Sequence, residues 1–168
     1  MVVIRGKVWK FGNSIDTDII IPTRYLVLPI EEAKEKAMEP IRPSFPKEFE
    51  KGGIIVAGKN FGCGSSREQA PAVLKALGVS AIVAKSFARI FFRNAINLGI
   101  PTIECKEAYD KVEEGEKIEI EPETGKIKQL KQGTILQGSK LPLFLLEIIK
   151  DGGLIPHLKC SYLSKGTS

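Results

Sequence analysis

Lys59-Asn60-Phe61-Gly62-Cys63-Gly64-Ser65-Ser66-Arg67-Glu68-Gln69-Ala70 sets two adjacent hydroxyls and a guanidinium directly after a glycine-rich turn. The run before it, Gly53-Ile54-Ile55-Val56-Ala57-Gly58, is short, apolar and glycine-bounded, so it reads as a buried strand. After Pro71 the spacing of Val73, Leu74 and Leu77 is helical, and Gly78 supplies a C-terminal stop. A strand, a glycine turn and a helix start bring free backbone N–H groups and the positive end of a helix dipole to one place. Such a place suits an anion or a developing negative charge.

Helix capping is the competing reading of this loop. Ser65-Ser66-Arg67-Glu68 fits the S-x-x-E capping box, and Ser66 with Gln69 fits a second. Pro71 limits the register, because proline is tolerated only in the first turn. Capping leaves Arg67 unexplained: a cation at a helix N-terminus opposes the dipole by a few tenths of a kcal/mol, or roughly that order. An anionic ligand removes the conflict, since arginine pairs bidentately with carboxylates.

Composition bounds the rest. The 168 residues, 43% hydrophobic and 27% charged, suit one compact soluble domain spanning 1–168. No apolar run reaches membrane-spanning length, and the N-terminus lacks a signal-peptide layout, so a cytoplasmic location is expected. Cys63, Cys105 and Cys160 are odd in number and widely spaced, which gives neither a disulfide framework nor a metal knuckle. Local sequence therefore offers no clustered cysteine site for an iron–sulfur cluster. The net charge of +5 is spread over scattered lysines, without the aromatic-interleaved basic stripe of a nucleic-acid binder.

Further along the chain, Val2 to Phe11 alternates as a strand, and Asp16-Thr17-Asp18 forms a polar turn into Ile19-Ile20-Ile21-Pro22. Pro29 opens a short charged helix from Ile30 to Met38, and Val79 to Ala84 is a second buried strand. Ser86 is placed to cap a helix whose apolar positions run from Phe87 to Leu98, closed by Gly99 and Pro101. Thr102 to Cys105 is another strand, and Lys117–Glu121 and Lys126–Leu130 form a hairpin with opposed charges. Pro142 to Lys150 reads as the last helix, ended by Asp151-Gly152-Gly153. The pattern predicts an α/β domain with a mixed sheet, flanking helices and an appended hairpin.

Several chemistries are set aside. The loop lacks G-x-S-x-G, and the single histidine, His157, falls in the C-terminal tail, which removes a serine hydrolase. No Gly-Lys-Ser/Thr follows the glycines, which removes a P-loop. Asp16-Thr17-Asp18 reads more simply as an Asx turn or cap than as a metal or catalytic pair. Trp9 and Phe91-Phe92 read as core or interface.

At this point several separate motifs converge. Phe61 to Glu68, Ala84-Lys85-Ser86-Phe87-Ala88-Arg89-Ile90, Trp9-Lys10-Phe11-Gly12 with Asp16 to Pro22, Phe91 to Pro101, and the tail around Gly152-Gly153-Leu154 cover nearly the whole chain. Together they closely resemble the small-subunit, or swivelling, domain of the aconitase superfamily. The nearest look-alikes are the stand-alone small subunits of isopropylmalate dehydratase and its hydro-lyase relatives.

That resemblance implies a swivelling β/β/α fold that closes over a separate large subunit. The large subunit is implied to carry a four-iron, four-sulfur cluster on its own cysteines, with no metal bound by this chain. It further implies Ser65 as the catalytic base, and Ser66 and Arg67 as ligands of a carboxylate on a small 2-hydroxy dicarboxylate. Tyr25-Leu26-Val27-Leu28 is implied to face the part of the substrate that varies between members. Homoaconitase-like small subunits carry an arginine at the position matching Val27, and isopropylmalate enzymes an apolar residue. Burying an isopropyl group is worth about 2 kcal/mol, which a buried charge would forfeit, so Val27 favours an apolar branch. Arg24 sits close enough in sequence to reach the same pocket.

The expectation is thus the small subunit of a heteromeric hydro-lyase of isopropylmalate type, acting through isopropylmaleate in leucine biosynthesis. Two alternatives stand beside it. One is a sister dehydratase of homoaconitate, citraconate/methylmalate or dimethylmalate; the other is a non-catalytic anion-binding regulatory module.

Overall fold

Two four-residue strands buried along their whole length anchor the architecture. In the computed structural model, which describes residues 2–166, they are β2, Ile54–Ala57, and β3, Ala81–Ala84. With β1 (Ile4–Lys10) and β4 (Thr102–Glu104) they form the parallel half of a sheet. The antiparallel half is β5 (Lys117–Glu121), β6 (Lys126–Gln129) and β7 (Ile135–Gln137). β1 pairs with β5, giving the seven-stranded order β4-β3-β2-β1-β5-β6-β7.

The two-residue period of a strand divides the core in two. Ile55, Ala57, Ile82 and Ala84 face one layer with Phe11, Ile20, Met38, Phe45, Leu74 and Phe91. That layer holds α1 (Thr17–Ile20), α2 (Ile30–Ala33), α3 (Phe45–Glu48), α4 (Gln69–Leu77) and α5 (Arg89–Asn97). Ile54, Val56, Ala81 and Val83 face the other layer, together with Ile118, Ile120, Ile127 and Leu136 of the antiparallel half. One core shared by both halves means that the sheet curls upon itself, with α6 (Ala108–Lys111) closing the gap. The hairpin charges pair across strands as their alternation predicts, with Glu119 opposite Lys128 and Glu121 opposite Lys126.

Some sequence-based expectations are corrected. The helix foreseen from Ile30 to Met38 ends at Ala33 and passes into a 3-10 turn over Lys34–Lys36. Ser86 does not cap α5, whose N-cap is Ala88; its hydroxyl instead accepts the Asn60 N–H at 2.8 Å. The chain does not end its helices at Lys150. α7 (Leu143–Lys150) is followed by α8 (Leu154–Lys165) across the Gly152-Gly153 corner. Gly153 has φ +131° and a Cβ there would stand 2.5 Å from the Asn97 carbonyl, so glycine is required for the corner to seat on α5. Lys75 binds that seat, donating to Gly152 O at 2.8 Å and to Leu98 O. Among the described residues no helix is long and apolar enough to cross a membrane.

Candidate active site

The carboxyl ends of β1, β2 and β3 lie side by side, and the loops leaving them lock together. Phe11 N–H donates to Val56 O (2.9 Å), Ser14 N–H to Lys59 O (2.7 Å), and Lys59 N–H to Asn13 Oδ1 (2.7 Å). Farther out, Gly62 N–H donates to Ile15 O and Thr17 N–H to Cys63 O, both at 2.8 Å. On the other side Phe61 exchanges backbone bonds with Ser86 and Ala88, each at 3.0 Å. The crevice beyond the carboxyl ends of parallel strands is the usual ligand position of such sheets.

Glycine is obligatory at two points of this loop. Gly62 has φ +81°, and a Cβ there would lie 2.1 Å from Cγ of Phe91, whose ring packs edge-on against Phe61. Gly64 has φ +96°, and a Cβ there would lie 2.7 Å from both Asp16 carboxylate oxygens. The chain thus turns tightly enough to lay Ser65 beside Thr17, 48 residues away.

Neither capping box forms. α4 starts at Gln69, its N-cap Glu68 makes no side-chain cap bond, and Pro71 falls within the first turn. The Ser65 hydroxyl is engaged elsewhere: it accepts from Arg67 Nε at 2.8 Å and lies 3.2 Å from Thr17 Oγ1. Thr17 Oγ1 also lies 3.2 Å from the Ser65 carbonyl, which only accepts. The Thr17 hydroxyl is thus in reach of both Ser65 oxygens. The hydroxyl oxygen of Ser65 is held against a cation, and that contact favours negative charge on it. The backbone N–H groups of Gly64, Ser65 and Ser66 make no hydrogen bond among the described residues.

Arg67 is spent mostly inward. Beyond Ser65, its Nη1 donates to Asp18 Oδ1 (3.2 Å) and Ile21 O (3.1 Å), and its Nη2 to Thr23 Oγ1 (3.1 Å). These use four of a guanidinium's five N–H groups. Asp18 is the hub of this cluster. It accepts the Thr23 hydroxyl and N–H, each at 3.0 Å, and these bonds together with Arg67 hold its carboxyl below the ordinary value of 3.8. Asp16 caps α1 by accepting the Asp18 N–H at 2.7 Å, the Asx role its sequence suggested. Thr17, Asp18 and Thr23, by contrast, support the site in a way the local sequence did not disclose.

The remaining predicted residues are placed as follows. Ser66 is exposed, and its carbonyl is 3.5 Å from Asn94 Nδ2. Tyr25, Leu26 and Leu28 pack against the helical core layer, while Val27, 88% exposed, stands out from the loop. Arg67 ties that loop to Ser65 through Thr23. Arg24 turns aside to pair with Glu39 and stack on the Tyr25 ring. A cavity of about 690 Å³ is lined by Phe87, Arg89, Arg93 and Leu145 and not by these residues. Ser65 and Ser66 instead occupy open surface.

The three cysteines form no disulfide and lie in different parts of the fold. Cys63 is half-buried in the loop, and burial followed by the Asp16 charge pushes its thiol up. Cys105 is buried in the opposite core layer and Cys160 is exposed on α8. Among the described residues no three His, Cys, Asp or Glu side chains gather into a group able to hold a metal ion.

Residues 31–108, which carry the two buried strands and the serine–arginine loop, match the Aconitase C-terminal domain family. The chain is 56% identical to the isopropylmalate/citramalate isomerase small subunit of Methanocaldococcus jannaschii, with 94% of each chain covered. It is 53% identical to the 3-isopropylmalate dehydratase small subunit of Aquifex aeolicus, over 96% of this chain and 97% of that one. A crystal structure of 3-isopropylmalate dehydratase from M. jannaschii superposes with a TM-score of 0.92 at 40% identity, covering 98% of both chains. The chain belongs to the 3-isopropylmalate dehydratase small-subunit family of aconitase-type hydro-lyases.

Proposed function

We propose that this chain is the small subunit of 3-isopropylmalate dehydratase, the leucine-pathway enzyme that interconverts isopropylmalate isomers by eliminating and re-adding water. The observation that carries the reading is the Ser65 oxygen held at 2.8 Å from Arg67 Nε on an exposed glycine loop. Ser65 acts as the alkoxide, held by the Arg67 guanidinium and the free N–H groups of the loop. It takes the carbon-bound proton and becomes a neutral hydroxyl, while the C–H electron pair passes into the new double bond as the substrate hydroxyl departs. Ser66 and the remaining N–H of Arg67 hold a substrate carboxylate. Because this site is open surface, a facing chain is needed to exclude water from it, and the large subunit fills that role. The described residues do not suit a metal cluster, so the four-iron, four-sulfur cluster is assigned to the large subunit, and departure of the hydroxyl is handled outside this chain.

Reconstitution tests the reading. The purified small subunit is expected to fold without iron or sulfide and to show no dehydratase activity alone. Combined anaerobically with the large subunit, it is expected to convert 3-isopropylmalate in preference to homoisocitrate. A stoichiometric cluster on this chain alone, or an inactive pair, would sink it. A second reading, turnover of citramalate as well, is favoured by the name of the relative at 56% identity. The same panel with citramalate decides between single and dual use.

Val27 carries the substrate preference in this proposal. Its isolation at the loop tip makes it free to meet a branch of the substrate once the facing subunit closes. Val27→Arg fills that space and leaves a charge against the isopropyl group, a repulsion added to a lost attraction. The expected outcome is a fall of about tenfold or more in kcat/KM for isopropylmalate relative to homoisocitrate, on the scale of one to three kcal/mol per pocket group. Competition between the two substrates measures this ratio, and an unchanged ratio would remove Val27 from the specificity site.

A further inference from the structure

Arg24 poses a problem for an apolar substrate pocket. It opens, with Thr23 and Tyr25, a 3-10 turn whose next turn bond runs from Leu26 N–H to Thr23 O. A further turn bond from Leu28 N–H to Tyr25 O keeps this segment compact, which leaves Val27, three residues on from Arg24, within the reach of an arginine side chain. An uncommitted guanidinium there would bring positive charge to the group that reads the substrate branch. We propose that Glu39 is a specificity-determining residue, whose carboxylate draws Arg24 away from Val27 and keeps the branch pocket uncharged. This rests on the function proposed above and on residues 25–28 as the reader of the branch.

The Glu39 carboxylate is built for that task. One oxygen takes the Arg24 guanidinium, the Tyr25 hydroxyl donates to both oxygens at 2.8 and 2.9 Å, and Lys36 lies 3.9 Å away. The Tyr25 ring also lies beneath Arg24, 4.6 Å from the guanidinium carbon to the ring centroid. Tyr25 thus orients the acceptor and seats the donor together. Hydrogen bonding by Tyr25, then Arg24, holds the Glu39 carboxyl below its ordinary value, so it is charged at neutral pH. The backbone that presents it is fixed as well. Met38, fully buried, donates its N–H to Ile20 O at 3.0 Å and accepts from Arg42 N–H at 2.7 Å. Its φ of +60°, uncommon for a side-chain-bearing residue, swings Glu39 out toward the loop.

The experiment uses the reconstituted two-subunit enzyme in competition between 3-isopropylmalate and homoisocitrate, whose branch ends in a carboxylate. Glu39→Gln keeps the shape and an acceptor for Tyr25 but removes the charge that holds Arg24. It is expected to shift the kcat/KM ratio about tenfold toward homoisocitrate, the size of one close charge pairing. Arg24→Gln alone should leave the ratio as in wild type, and adding it to Glu39→Gln should restore that ratio. Tyr25→Phe keeps the ring under Arg24 and loses only the hydroxyl; it should move the ratio the same way by about threefold, one net hydrogen bond. That variant also decides the matter if Glu39→Gln does not fold. An unchanged ratio, or a shift that Arg24→Gln fails to reverse, would overturn the assignment. A wild-type enzyme inactive on isopropylmalate would instead overturn the function itself.

Discussion

Ser65→Ala in the assembled enzyme is expected to lower kcat by at least about a hundred-fold, the floor for losing a positioned acid–base group. The hydroxyl it removes is exposed, bonded to Arg67 Nε at 2.8 Å and set beside Thr17. A hydroxyl placed for capping would matter little to turnover, but no cap bond is made at the start of α4. In the proposed role Ser65 acts on the proton in transit and not on the bound carboxylates, so KM should change by less than about threefold. Stability should stay within about 0.5 kcal/mol of wild type, as for surface substitutions. Steady-state kinetics with a thermal melt separates these effects. Near-normal turnover would reduce Ser65 to a structural loop residue.

Arg67→Lys has the second largest expected effect, and the geometry says why. The guanidinium reaches Ser65, Asp18, the Ile21 carbonyl and Thr23 at once, from a side chain only 17% exposed. An ammonium is a point charge with three donors and cannot span those four acceptors. Three consequences follow together: Ser65 loses its charged partner, the loop bearing Val27 loses its tie through Thr23, and, under the proposed role of Arg67, the substrate carboxylate loses its guanidinium donor. We expect kcat/KM to fall about a hundred-fold, equivalent to roughly 2.7 kcal/mol, through both lower kcat and higher KM. A drop in kcat alone would mean that Arg67 orients Ser65 without touching substrate.

The same cluster has a defined pH behaviour. The folded-state value of Asp18 lies below 3.8, so its contribution is complete above that value and fades as pH falls through the folded one. The link between Asp18 and Arg67 therefore persists throughout the neutral and mildly acidic range. Loss of activity at pH 5 to 6 would have to come from another group.

The sequence disclosed the parts of the fold that are local and periodic. β2 and β3 were legible because an apolar run bounded by glycine has few other solutions, and α4 because Gly78 stops it in the left-handed region. α8 was missed because Gly152-Gly153 reads as a terminus, and its Ile155, Leu158 and Tyr162 remain exposed, giving no core pattern to follow. β7 is three residues long and was lost among turn residues. For the site, residue types marked Ser65, Ser66 and Arg67 as chemically unusual. Their support was invisible because it is nonlocal: Thr17, Asp18 and Thr23 come from 44 to 49 residues upstream of their partners. The capping boxes failed for a related reason. A hydroxyl with a charged partner beside it gains more there than from a neutral N–H at the helix start.

The assignment of Ser65 as base is tested most directly by proton exchange. The reconstituted enzyme is incubated with 3-isopropylmalate in deuterium oxide, and deuterium at the carbon that loses its proton is followed by mass spectrometry. Wild type is expected to incorporate deuterium at that carbon, and Ser65→Ala to incorporate none on the same timescale while still binding substrate. Exchange by Ser65→Ala at the wild-type rate would show that another group removes the proton and would contradict the account.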